Sequence, residues 1–267
     1  MMRVYVEGIG LRAPGLDGWA AGRPVLRGER AYGATPLNLP PIELLPANER
    51  RRMVTTVKLA LATGIEAFAM AKRAPSETAT VFTSSGGDGE TICNILETLA
   101  SAQLDVSPTR FHNSVHNAPA GYWSIATKAQ APTTALCAHD GSFAAGLLDA
   151  VSQAVADDHP VGLVAYDIPY PEPLNAIRPI HHALGVALVV APVQTEASFA
   201  ALNISLARKP MPASTIEDPG LEALRRDNPA ARCLPLLAAM ARGRDTSVVL
   251  DYVGGNVVAV SVSPLRA

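Results

Sequence analysis

Cys137 and His139 stand two residues apart behind the apolar run 133–136, so in extended chain they share a face. A thiol beside an imidazole is the arrangement of an activated nucleophile. The other reading of Cys137 is a small core residue. The run Ser84-Ser85-Gly86-Gly87-Asp88-Gly89 follows a short apolar strand and opens a helix, where backbone amides can cradle a phosphate. It lacks both the Lys-Ser/Thr ending of a P-loop and the glycine spacing of a dinucleotide fold, so it reads as a structural turn. Residues 111–123 gather His112, His116, Asn113, Asn117, Phe111, Tyr122 and Trp123, a density that marks a site or an interface. His181-His182 reads as a surface or interface pair rather than a metal site, and no G-x-S-x-G elbow of a serine hydrolase occurs.

The elements that position these residues follow from periodicity. Residues 4–9 alternate as a strand, and prolines from Pro14 to Pro46 keep the next stretch irregular. Asn48 is the expected cap of one helix that runs through Arg50-Arg51-Arg52 to Ala71, with Met53, Val57, Leu61, Ile65 and Phe68 on its apolar face. Strand 79–83, the glycine turn and the helix carrying Ile92, Ile95, Leu96 and Leu99 make one α/β unit. Helix 118–126, strand 133–136, helix 142–155 and strand 161–165 make a second. Beyond a proline-rich crossing, residues 184–190 and 199–206 read as neighbouring strands and 234–241 as a helix. Segments 248–252 and 257–262 flank Gly254-Gly255-Asn256 as a hairpin.

The chain has 267 residues, 48% of them hydrophobic and 17% charged, enough for one large core. A formal net charge of -2 and no basic run longer than Arg50-Arg51-Arg52 exclude a nucleic-acid partner. No stretch approaches the roughly 18 apolar residues of a membrane span. The alternating start is unlike a signal peptide, and Cys93, Cys137 and Cys233 are too sparse for a disulfide frame. A cytoplasmic chain with reduced thiols, no metal and no cofactor is expected.

Ser107-Pro108, Asn117, Ala120-Gly121, Ile125, Pro132, Asp140-Gly141-Ser142 and Ala150 together resemble the β-ketoacyl synthases of the thiolase-like superfamily, without a gap from 107 to 150. Val4-x-Val6-x-Gly8-Ile9-Gly10 and the helix 51–71 are similar to the family's first strand and first long helix. The resemblance covers residues 1–190 of a single domain and leaves 191–267 as a reduced C-terminal part. It implies an α/β thiolase-like layered fold, mostly the N-terminal half of a β-ketoacyl synthase. A central five-stranded mixed sheet is expected, with a reduced second sheet built from residues after about 184.

The departures from the family set the functional expectation. In this register the nucleophilic cysteine falls on Asp140, while Cys137 lies three residues upstream, expected inside the strand and too early for the elbow. A carboxylate is a poor acyl carrier, because its mixed anhydride is labile where a thioester persists. Neither the H-G-T-x-T nor the G-H-x-x-G-A histidine motif is present. A ketosynthase-like chain without its cysteine resembles a chain-length factor, in particular the short ones of bacterial aryl-polyene pathways, through Asn113-Ser114-Val115-His116-Asn117, Gly121-Tyr122-Trp123 and the run from Asp140 to Leu148. That resemblance implies a ketosynthase partner in polyketide, aryl-polyene or fatty-acid-like biosynthesis, with an acyl carrier protein as a further partner. It also implies an interface and tunnel built from Arg110, Phe111, Ser114, Val115, His116, Asn117, Thr133 and Thr134. Two rival readings stand beside it: a small acyltransferase or hydrolase using Cys137 with His139 or His116, and a carrier-protein docking module using Arg50, Arg51 and Arg52.

Overall fold

A computed structural model describes residues 1–102, 104–208 and 211–265. The described residues form nine strands: β1 Met2–Ala13, β2 Leu16–Asp17, β3 Ala79–Thr83, β4 Thr133–Leu136, β5 Val161–Asp167, β6 Leu184–Ala191, β7 Ala200–Ala207, β8 Thr246–Asp251 and β9 Val257–Pro264. They make one sheet in the order β4-β3-β5-β6-β1-β7-β9-β8, with β2 turned back on β1. β4, β3 and β5 run parallel, and every pairing from β5 through β6, β1, β7 and β9 to β8 is antiparallel. The helices are α1 Trp19–Arg27, α2 Ala47–Arg52, α3 Thr55–Ala71, α4 Gly89–Ala100, α5 Pro108–Asn113, α6 Ala118–Thr127, α7 Ser142–Asp157, α8 Leu174–Ile177, α9 Pro219–Asp227 and α10 Leu234–Arg242.

β5 and β6 are buried at every position and read as unbroken apolar runs, because helices cover both faces of the sheet. On one face α3 and α6 enclose Phe68, Phe82, Trp123 and Tyr166, with the Trp123 ring 5.2 Å from Phe68 and 6.1 Å from Phe82. On the other face α1, α7 and α10 enclose Trp19, Phe143, Leu147 and Leu236. Gly8 and Gly10 let α3 lie directly on β1: a methyl at either position would run into the carbonyls of Ala67 and Thr63.

The structure corrects four expectations. The five strands β4-β3-β5-β6-β1 are present, but there is no second sheet among the described residues; β7, β9 and β8 continue the first sheet beyond β1. β6 and β7 are not neighbours, since β1 runs between them. The helix expected from Asn48 to Ala71 is two, because Met53 and Val54 take extended backbone between α2 and α3, and Pro46 rather than Asn48 precedes the first. The proline-rich stretch contains α1, in spite of Pro24 inside it; buried Trp19, Val25 and Leu26 hold it to the core, and Glu66 accepts the Trp19 amide at 2.6 Å. The hairpin at 253–255 stands as expected.

Gly10→Ala is expected to destabilise the fold by roughly 1–3 kcal/mol, because the packed β1–α3 contact cannot absorb a methyl. Gly121→Ala, in α6 with open space around it, is expected to stabilise by about 0.5–1 kcal/mol. Urea unfolding of both variants checks the pair; equal effects would mean that the β1–α3 contact is looser than described.

Candidate functional site

The segment that the resemblance assigns to the nucleophile lies at the C-terminal end of β4. Cys137 follows β4 directly, behind the run 133–136, and is exposed, which corrects its reading as a core residue. Its thiol donates to the Ser85 carbonyl at 3.2 Å. His139 takes a left-handed backbone conformation, φ 51°, so the chain turns sharply just before Asp140. Ser142 closes the turn: its hydroxyl accepts the Ala138 amide at 3.0 Å and donates to the His139 carbonyl at 2.6 Å. α7 then begins.

Asp140 is fully engaged. Arg178 donates to Oδ1 at 2.7 Å and Arg232 to Oδ2 at 3.1 Å, with His139 Nδ1 3.4 Å from Oδ1. Burial pushes the Asp140 pKa up, but the Arg178 hydrogen bond and the charges of Arg232 and Arg178 outweigh it and hold the carboxyl below its ordinary value. Each oxygen of this carboxylate is held by a guanidinium. Sequence reasoning missed both arginines, which lie 38 and 92 residues from Asp140 and share no motif with it.

Beneath the turn lies a second carboxylate that the sequence did not mark. Asp167 ends β5 fully buried, and its Oδ1 accepts from the Ser84 hydroxyl at 3.0 Å and from the Ser85 amide and hydroxyl at 2.8 Å. Its Oδ2 has no partner among the described residues. Burial therefore dominates and raises its pKa to about 6, against the bonds from Ser85 and Ser84 that lower it. The glycine turn after β3 is thus a structural turn, pinned by Asp167, and it supports two site residues. His116 Nε2 lies 3.2 Å from the Ser84 carbonyl, and Cys137 reaches the Ser85 carbonyl.

Along the flank of this turn runs a partly apolar surface. β4 is the last strand of the sheet and leaves one edge unpaired. A groove of about 520 Å³ beside it is lined by His116, Asn117, Ala120, Gly121, Ser124, Thr133 and Ala135. On α5 and the following loop Arg110, Phe111 and Val115 are exposed, and half-buried Ser114 turns its hydroxyl back to the Phe111 carbonyl at 2.8 Å. Thr133 reaches Thr80 at 3.0 Å, whereas Thr134 faces α7, where Gln153 donates to it at 3.2 Å; Thr134 is therefore separated from the groove residues. α4, which packs against α5, buries only Gly89 and Thr91 and leaves Ile92, Leu96 and Leu99 exposed at 40%, 59% and 51%. That stripe is helically spaced in the sequence; only its lack of a cover was not legible there.

Because the folded Asp167 pKa lies above the ordinary carboxylate value, its contribution to stability is fully present below about pH 4 and is lost as pH rises through about 6. Asp140, Glu7 and Glu222, all lowered, contribute in the opposite sense. Asp167→Asn should consequently gain stability relative to the parent chain by up to about 3 kcal/mol between pH 4 and pH 7. Denaturant unfolding across that range checks it; a difference independent of pH would show that the folded Asp167 pKa is not raised above its unfolded value.

The comparisons with known proteins bear on the family and the fold. The profile of the β-ketoacyl synthase N-terminal domain matches residues 27–247. The fold superposes on the ketosynthase (ApeO) in complex with its chain length factor (ApeC) from Xenorhabdus doucetiae with a TM-score of 0.71 and 22% identity, covering 98% of this chain and 100% of that one. It superposes on the ishigamide ketosynthase/chain length factor with a TM-score of 0.73 and 14% identity, covering 100% of each chain. A third match, TM-score 0.76 at 11% identity and 99% of each chain, is to a chain of the AntDE:AntF complex, a type II PKS acyl-carrier protein in complex with its ketosynthase bound to the hexaketide. Comparison with curated proteins finds no match. The elbow after β4, the matched profile and the superpositions together show a thiolase-like fold, and the chain belongs to the β-ketoacyl synthase N-terminal-domain family.

Proposed function

We propose that this chain is a non-catalytic, chain-length-factor-like subunit that pairs with a ketosynthase chain in the cytoplasm. The observation that carries the reading is Asp140, a carboxylate locked by two arginines at the position where a condensing enzyme needs a free thiolate. The unpaired edge of β4 and the exposed Phe111, Val115, Ile92, Leu96 and Leu99 offer the partner a strand edge flanked by apolar side chains. The chain-length factors named among the matched structures support the same reading. Aryl-polyene or related polyketide synthesis, with substrates delivered on an acyl carrier protein, is the setting we infer.

Cys137 gives the rival enzyme reading its one supporting observation, since the thiol is exposed. Among the described residues, however, neither His116 nor His139 hydrogen-bonds to it, and its proton points to a peptide carbonyl. The purified chain alone is expected to show no condensation of acyl and malonyl thioesters. A measurable rate abolished by Cys137→Ala would replace this proposal with the enzyme.

Phe111→Asp places a charge on the proposed partner face and should weaken co-purification with a ketosynthase roughly thirtyfold. Ser114→Phe, in a reconstituted pair, should shorten the product by blocking further two-carbon steps, whereas Phe111→Ala should lengthen it. Mass spectrometry of the products decides: an unchanged distribution for both variants, with assembly intact, would mean that this subunit supports its partner without measuring the chain. Undiminished co-purification of Phe111→Asp would place the interface elsewhere.

A further inference from the structure

Each of the two arginines at the elbow has a partner besides Asp140. Arg178 Nη1 donates to the Tyr170 hydroxyl at 3.0 Å, and its guanidinium carbon lies 5.7 Å from the centre of the Tyr170 ring. The Tyr170 hydroxyl in turn meets Ser85 Oγ at 3.4 Å. Arg232 is held from its other side by Asp251 at 3.4 Å. Each guanidinium is thus braced by a group on a different segment, and the two converge on one point just before α7. Both arginine side chains are 24% exposed while that of Asp140 is 43% exposed, so the anion sits at the mouth of the cluster, within reach of solvent.

Two braced guanidinium groups, one on each oxygen of a carboxylate, are what a carboxylate receptor is made of. We propose that Arg178 and Arg232 form a carboxylate-binding site that Asp140 fills from within the chain. Its ligand class is the free carboxylate, whether of a small organic acid or of an acyl group that ends in one. Asp140 keeps such ligands out by occupying both donors and by adding its own negative charge. The position of a lost nucleophile has in this way become a closed anion site. The inference rests on the elbow geometry alone and does not require the proposed pairing with a ketosynthase.

Asp140→Gly should open the site. With acetate or malonate as probe, and sodium chloride at equal ionic strength as reference, the Tm of the variant should rise by roughly 2–4 °C near saturation. The parent chain should show no carboxylate-specific rise, and Arg178→Gln in the Asp140→Gly background should abolish it. A variant that folds only when acetate is added supports the site equally. A folded variant with no carboxylate-specific rise, or an equal rise in the parent chain, overturns it. If Asp140→Gly stays unfolded under all conditions, Asp140→Ala with the same probes carries the test, and a folded Asp140→Ala chain with no carboxylate-specific rise overturns the site.

Discussion

Strand β1 joins β6 to β7 in the sheet, and Glu7 is the residue at which its register with β6 breaks. From Met2 to Val6 the strand pairs with β7, and from Tyr5 to Arg12 it pairs with β6, with a register shift in the β6 pairing between Val6 and Gly8. Glu7 is buried there, and Arg73 grips both its oxygens at 2.7 Å while the Thr195 hydroxyl adds a bond at 2.7 Å. Burial raises the Glu7 pKa, but the bonds from Arg73 and Thr195 and the charge of Arg73 carry it below the ordinary value. Removing Arg73 would leave an unpaired buried charge, at a cost of about 3–5 kcal/mol. Arg73 follows α3 and Thr195 lies between β6 and β7. One ion pair therefore fixes the helix on β1, the bulge, and the path by which the chain reaches β7.

That fixation explains why the C-terminal part builds no sheet of its own. A five-stranded sheet ending at β1 would expose a long apolar edge, which invites association. β7 pairs with β1 over Met2 to Val6, β9 covers β7 over its whole length, and β8 covers β9. The new outer edge at β8 is partly capped, since Ser214 exchanges hydrogen bonds with the Val249 amide and carbonyl. The other edge, β4, stays bare beside the apolar stripe of α4. One edge has been closed from within the chain and the other left open.

Much of this was legible in the sequence because it rests on local chemistry. Unbroken apolar runs marked β5 and β6, helical spacing marked α4 and α7, and the register from Ser107 to Ala150 put Asp140 at the elbow. The failures share a physical cause, which is that tertiary contacts overrode local signals. Pro24 and Gly22 argue against a helix at Trp19–Arg27, yet buried Trp19 and the distant carboxylate of Glu66 stabilise one. Periodicity runs smoothly through Met53 and Val54, although the backbone there is extended. Arg178, Arg232 and Asp167 carry no motif, and their roles exist only once β5, the crossing after it and the segment before α10 are brought together.

The elbow and the proposed partner face are parts of one construction. Asp167 pins the Ser84–Ser85 turn, and that turn holds His116 in the groove wall and Cys137 at the end of the bare strand β4. Asp88, just past the turn, caps α4 through the Thr91 amide at 2.8 Å and accepts from Thr56 of α3 at 2.7 Å. The direction in which α4 displays Ile92, Leu96 and Leu99 is therefore set at the same turn. On the far side, Tyr170 joins the turn to Arg178 and so to Asp140. A change that loosens this turn would misalign β4, the groove and α4 together.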